Sequence, residues 1–156
     1  MENSNRQVLL KRRPTGAPGA DDFEFADAPI PDPAEGEVLV RGVYLSLDPY
    51  MRGRMSAARS YARPVDVGAV MEGRVVGRIV RSRDPGFREG EYVFGGYGWQ
   101  HYSVVPANSL TKLDPNEAPL STALGVLGMP GMTAYMGLLE IGRPQAIAAG
   151  RQSRND

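Results

Sequence analysis

Residues 70–81 read VMEGRVVGRIVR. The apolar side chains in this stretch are mostly β-branched, which favours a strand, and Gly73 and Gly77 interrupt it. Interior glycines in a strand mark bulges or corners where a small sheet bends. The segments on either side read the same way. Upstream, 6–11 (RQVLLK) is a first strand ended by the turn-rich RRPTGAPGADD, and 23–26 is a second, ended by PIPDPAEG. Residues 37–47 (EVLVRGVYLSL) form a longer strand that Asp48-Pro49 stops: Pro has no ladder donor, and Asp48 is placed to cap a short helical turn through YMRGRM. Downstream, 92–94, 100–105 and 109–113 are further short strands. Six or so strands separated by turn signals predict a mainly β domain, a partly open barrel, over residues 1–115.

At Asp114 the pattern changes. Asp114-Pro115-Asn116-Glu117 has the form of a capping box with Pro at the first helical position, with Pro119 able to delay the start. Leu120, Ala123, Leu124 and Leu127 then follow the i, i+3, i+4, i+7 spacing of a buried helical face. Residues 128–131 (GMPG) break that helix. Met132, Tyr135, Met136 and Leu139 repeat the spacing in a second helix, which ends near Gly142-Arg143-Pro144. Two helices over 116–144 are therefore expected after the barrel, with Met132 and Met136 in the core. Residues 145–156 (QAIAAGRQSRND) carry no strand pattern and read as a frayed or out-of-frame tail.

Composition narrows the function classes. A chain of 156 residues suits one well-cored domain. Gly 19 and Pro 13 make about a fifth of it, against an average of roughly 12%, which agrees with many turns and short strands. Lys+Arg 18 balance Asp+Glu 18, so no net charge draws the chain to nucleic acid or an anionic membrane. There is no Cys and a single His, His101, which removes disulfides, thiolate metal sites and multi-imidazole sites. No acidic cluster has metal-ligand spacing, so no metal is expected. The N-terminus MENSNRQ lacks an apolar signal region, and no stretch approaches 18 apolar residues. A cytoplasmic protein is the expectation.

Six segments carry a family resemblance: 5–18 (NRQVLLKRRPTGAP), 35–55 (EGEVLVRGVYLSLDPYMRGRM), 72–82 (EGRVVGRIVRS), 87–95 (FREGEYVFG), 99–102 (WQHY) and 118–142 (APLSTALGVLGMPGMTAYMGLLEIG). They resemble the N-terminal catalytic domain of the zinc-free medium-chain dehydrogenase/reductase superfamily. The branch is that of leukotriene B4 dehydrogenase, prostaglandin reductase and alkenal double-bond reductase, with its curcumin-reductase-like members. The match covers roughly residues 5–144; DPYMR and GMPGxTAY at this separation are its specific part, whereas FxxG[DE]xV is shared by the whole superfamily. The resemblance implies a GroES-like partly open barrel over 1–115 and a helical connector over 116–144 that leads toward a Rossmann domain. Residues 145–156 show no such domain's strand or Gly-rich turn. The ending is expected to reflect either a gene interrupted or shifted out of frame after about Gln145, or a chain cut at the domain junction.

The resemblance also implies chemistry. Members reduce the C=C bond of α,β-unsaturated aldehydes and ketones, so the implied partners are a small apolar enone or enal and NADP(H) in the complete enzyme. Hydride reaches the β-carbon, and the enolate that results needs a preorganised donor. A phenol is such a donor at neutral pH. Tyr61, in the loop 60–64 (SYARP), is the first candidate, and Tyr50 on the turn after DP is the second; for each, the competing reading is a packed ring with its hydroxyl tied to backbone. Gly96, Tyr97, Trp99 and Met51 are assigned to the substrate side, the competing reading for the 96–99 loop being a turn with aromatic packing. Met129 and Thr133 are assigned to the nicotinamide, with Thr133 alternatively satisfying a local backbone group. His101 and the run Lys11-Arg12-Arg13 are read as solvated strand positions. The chain alone is expected to be inactive or nearly so. The alternative is a non-enzymatic GroES-like module that binds apolar carbonyl compounds or self-associates, with a homodimer formed through the exposed helices.

Overall fold

The computed structural model describes residues 4–58, 60 and 62–144. Seven strands form within them: β1 (Asn5–Leu10), β2 (Phe23–Ala28), β3 (Glu37–Leu45), β4 (Arg74–Ser82), β5 (Tyr92–Gly96), β6 (Tyr102–Pro106) and β7 (Thr111–Leu113). β1 and β2 make a two-stranded sheet, and the other five are ordered β6-β3-β4-β5-β7. Every pairing is antiparallel, so no Rossmann unit, which needs parallel strands, occurs among the described residues. The fold is the mainly β, partly open arrangement of a GroES-like domain.

The sheet bends where β3 meets β4. Leu39 pairs with Arg81 while Val40 pairs with Ile79, which leaves Val80 as an extra residue; Gly42 pairs with Gly77 while Tyr44 pairs with Val76, which leaves Val43. Such bulges increase twist and re-aim side chains. Gly77 is needed at the second one, because a Cβ there would overlap Val40 Cγ1 and lie 2.7 Å from the Arg41 carbonyl oxygen. Gly73 sits just ahead of β4, with Leu45 and the Trp99 ring occupying its side-chain position.

Two apolar clusters hold the domain. One joins Val38, Val40, Val75, Ile79, Val93 and Tyr97 between the central strands. The other packs Leu10 from β1 against Met51, Met55, Val65 and Met71. This second cluster fixes α1 (Tyr50–Arg54), the turn that carries DPYMR. Asp48 does not cap α1 with its side chain: its carboxylate accepts from the Ser46 hydroxyl at 2.9 Å, and its carbonyl accepts from Met51 N at 3.1 Å. Three arginines hold the 11–22 loop. Arg12 pairs with Asp22 at 2.7 Å, Arg13 donates to the Met55 carbonyl, and Arg52 donates to the carbonyls of Pro14 and Gly16. Lys11 and Arg12 of the basic run are exposed at the strand end as expected, and Arg12 and Arg13 in addition anchor neighbouring segments.

The segment 114–144 also departs from expectation. Asp114 accepts from Asn116 N at 2.8 Å, a side-chain-closed turn of the kind Asp favours, and no helix starts there. Leu120–Leu124 is a single 3₁₀ segment with no buried residue. Residues 128–131, expected to break a helix, begin one. Gly128 is the N-cap of α2 (Met129–Tyr135), and Pro130 falls in its first turn, where a missing N–H costs nothing. α2 runs into a π-helical segment, Met136–Gly142. Its apolar side chains are exposed, Met132 at 63% and Ile141 at 83% among them, so the core placement of Met132 and Met136 is corrected. Nothing among the described residues covers these side chains. No described helix is long and apolar enough to cross a membrane.

Candidate active site

An open cleft of about 560 Å³ lies where α1, the start of β4, the end of β5 and the entry to α2 converge. Tyr50 and Arg54 come from α1, Glu72, Gly73 and Arg74 from the entry to β4, Gly96 from β5, and Met129 from the first turn of α2, with Ala62 beside them. Tyr50 packs one side against the Met51–Met71 cluster and shows the rest to the cleft. Its hydroxyl has no hydrogen-bond partner among the described residues. Burial, followed by the negative charges of Glu72 and Asp48, pushes its phenol above the ordinary value. The sign follows from the acid: a raised phenol pKa favours the neutral, protonated form, so Tyr50 is an O–H donor throughout the physiological range.

Arg54 and Glu72 form a bidentate pair on the cleft wall, the second contact being Nη2 to Oε2 at 2.7 Å. Arg74 lays its guanidinium 5.4 Å from the centre of the Phe94 ring. Neither the pair nor Arg74 was anticipated from sequence. Glu72 and Arg74 are two residues apart, hence on one face of an extended chain, and that spacing was the available signal.

The structure brings Tyr50, Gly96 and Met129 together and separates the others from them. Met51 is 2% exposed within the second cluster; successive residues on a helix point about 100° apart, which leaves Tyr50 at the cleft and Met51 in the core. The Tyr97 ring belongs to the sheet core, and its hydroxyl donates to the Val93 carbonyl at 3.1 Å. Trp99 stacks on Phe23 at 5.5 Å between centroids and sits behind Gly73 rather than on the cleft surface, and its indole Nε1 is buried with no partner among the described residues. Thr133 donates to the Met129 carbonyl at 2.8 Å, the local bond that a helical Thr commonly makes. Tyr61 lies outside the described residues. No group of three or more potential metal ligands occurs among the described residues.

The fold has counterparts among known proteins. The family model describing the N-terminal domain of oxidoreductase matches residues 6–113. The chain belongs to that family. The NADPH-dependent curcumin reductase of Escherichia coli strain K12 is 51% identical over 141 residues, covering 90% of this chain and 41% of the relative. The NADP(+)-dependent 2-alkenal reductase of Nicotiana tabacum is 41% identical over 150 residues, covering 92% and 43%. The crystal structure of CurA from Vibrio vulnificus in complex with NADPH superposes with a TM-score of 0.82 at 50% identity, covering 90% of this chain and 42% of that one. These place the oxidoreductase N-terminal domain described here in the medium-chain dehydrogenase/reductase branch that DPYMR and GMPGMTAY indicated. Its relatives are NADPH-dependent reductases, and the chain spans about two fifths of their length.

Proposed function

We propose that this domain is the substrate side of an NADP-dependent reductase acting on the C=C bond of α,β-unsaturated aldehydes and ketones. Residues 1–115 would form the catalytic module and 116–144 the connector to a nucleotide-binding part. The observation that carries the reading is Tyr50, a half-buried phenol, held protonated and without an internal acceptor, at the wall of an open cleft. A donor so placed serves an oxyanion that forms during reaction better than a ground-state contact.

NADPH, when bound, supplies the hydride. The residues present fit the nicotinamide end of such a cofactor. Gly96 has open space on its side-chain position, where a Cβ would meet nothing nearer than the Gly73 carbonyl oxygen at 4.0 Å. A strand-end glycine with no internal need for its small size suits close approach by a flat ring. Met129 supplies an apolar edge to the same wall. The Thr133 hydroxyl, its proton given to Met129, keeps lone pairs that can accept from a carboxamide N–H. Tyr50, with Tyr61 in the loop that also contributes Ala62 to the cleft, would donate to the carbonyl oxygen of the enone as negative charge moves onto it. No proton need be abstracted, since hydride addition leaves an enolate that water can protonate.

The test is a chimera in which residues 1–144 replace the matching part of the Escherichia coli curcumin reductase. The expected result is NADPH consumption with an enone and a saturated ketone as product. A chimera that folds and binds NADPH but yields only the allylic alcohol, or nothing, contradicts the reading.

A further inference from the structure

α1 is five residues long, and no side chain caps it. A helix that short has no stability of its own in water, so tertiary contacts decide how it sits. Its apolar side is set by Met51 and, at the C-terminal end, Met55, both buried in the second cluster. Apolar packing is non-directional and by itself leaves the helix able to roll about its axis. The cleft side is set by an ion pair. Arg54 follows Tyr50 by four residues and shares its face of the helix, and both line the cleft. The Arg54 guanidinium forks the Glu72 carboxylate at the entry to β4, a contact that fixes orientation as well as distance. The side chains are 17% and 34% exposed, so salt screens the pair less than a surface pair. Gly73, next to Glu72, packs against Leu45 and the Trp99 ring, which makes the strand entry a firm anchor. The Arg54 carbonyl also accepts from Val65 N at 2.8 Å, so the same residue ties α1 to the segment that brings Ala62 to the cleft.

We propose that Arg54 and Glu72 are positioning residues: their ion pair locks α1 against the entry to β4 and holds the Tyr50 hydroxyl toward the cleft. The inference rests on Tyr50 acting as proposed above. Four charged side chains act on the phenol, Glu72 and Asp48 negative, Arg74 and Arg54 positive. The charges balance, and the Arg54–Glu72 fork adds no net charge beside the hydroxyl. Its contribution is geometric. A donor aimed at charge that develops during reaction is sensitive to placement, and a displacement of about 1 Å can cost roughly a hundredfold in rate. Neither member of the pair has to touch the substrate for this.

The first measurement uses the chain itself, carbon-13 labelled at tyrosine Cζ, with Tyr50 assigned by the signal that Tyr50→Phe removes. In Glu72→Gln and in Arg54→Gln the Tyr50 resonance should move, while that of Tyr97, tied to Val93 inside the sheet, should stay. Tyr50 should also titrate at lower pH in Glu72→Gln, where a negative charge that opposes its ionisation has gone. The second measurement uses the chimera with the Escherichia coli reductase. Each variant should lower kcat for an enone about tenfold with KM little changed, because the phenol acts on charge present only in the transition state. Arg54→Lys keeps the charge, loses the fork, and should keep an intermediate rate. In the Tyr50→Phe background neither variant should cost more than about twofold further. A Tyr50 signal that stays put in both variants, or an equal fall in kcat with and without the phenol, overturns the positioning role and leaves that of Tyr50 standing. If Tyr50→Phe alone leaves kcat unchanged, the phenol reading fails and this inference with it. Should Tyr97 move as well, the fold has been disturbed, and Arg54→Lys carries both measurements with the same criteria.

Discussion

Tyr50 and Tyr97 are both withdrawn from water, and the two phenols serve opposite ends. The Tyr97 hydroxyl is spent on the Val93 carbonyl inside the core, and burial pushes its pKa far up. Tyr50 has the same chemistry with no internal acceptor and with cleft in front of it. Tyr97→Phe should therefore cost about 1 kcal/mol, the net value of one buried hydrogen bond, as read from urea unfolding, and should leave enone affinity unchanged. A larger effect on binding than on stability would return Tyr97 to the substrate wall. The sequence could not separate these tyrosines, because hydroxyl partners four residues away along a strand end depend on the bend of the chain. It did single out Tyr50 through DPYM, and Gly96 and Met129 through their motifs. Met51 and Tyr97, next in sequence to Tyr50 and Gly96, pack in the core, and Trp99 stacks on Phe23.

At the scale of elements, the strands were legible and their boundaries nearly so. Runs such as EVLVRGVYL owe their strand form to β-branched content and flanking turn residues, both local properties. The glycines of 70–81 were correctly read as bend markers, since Gly77 adjoins the register shift opposite Gly42. Gly77→Ala should destabilise the domain by roughly 1–3 kcal/mol, as overpacked core positions do. The added methyl would overlap Val40 Cγ1 and press on the Arg41 carbonyl. Equilibrium unfolding of the variant measures it, and an unchanged midpoint would mean that β3 and β4 are not held this closely. The helices were less legible. Capping residues at Asp114 and a Pro-Gly pair at 130–131 carry the same local signals whether they end a helix or start one, and the choice depends on what lies opposite. Here the 3₁₀ segment packs beside β4, and α2 begins where the notional break stood.

For the whole molecule, abundant Gly and Pro between short β-branched runs pointed to a mainly β domain before any contact was known. They could not indicate where polar side chains converge, because Tyr50, Glu72, Gly96 and Met129 are brought together by four separate segments. The chain covers nine tenths of itself and about two fifths of the curcumin reductase it resembles. The apolar side chains of α2 and the π-helical segment that follows it, Leu138 and Ile141 included, are exposed. The central claim is that a phenol of this domain stabilises the enolate formed on hydride addition. It is tested most directly by kcat/KM of the chimera with an enone, comparing Tyr50→Phe and Tyr61→Phe with the unmodified protein. The account predicts a fall of about tenfold or more, some 1.4 kcal/mol of transition-state stabilisation, for at least one of the two, with NADPH affinity unchanged. Rates within twofold of the parent for both variants would contradict it.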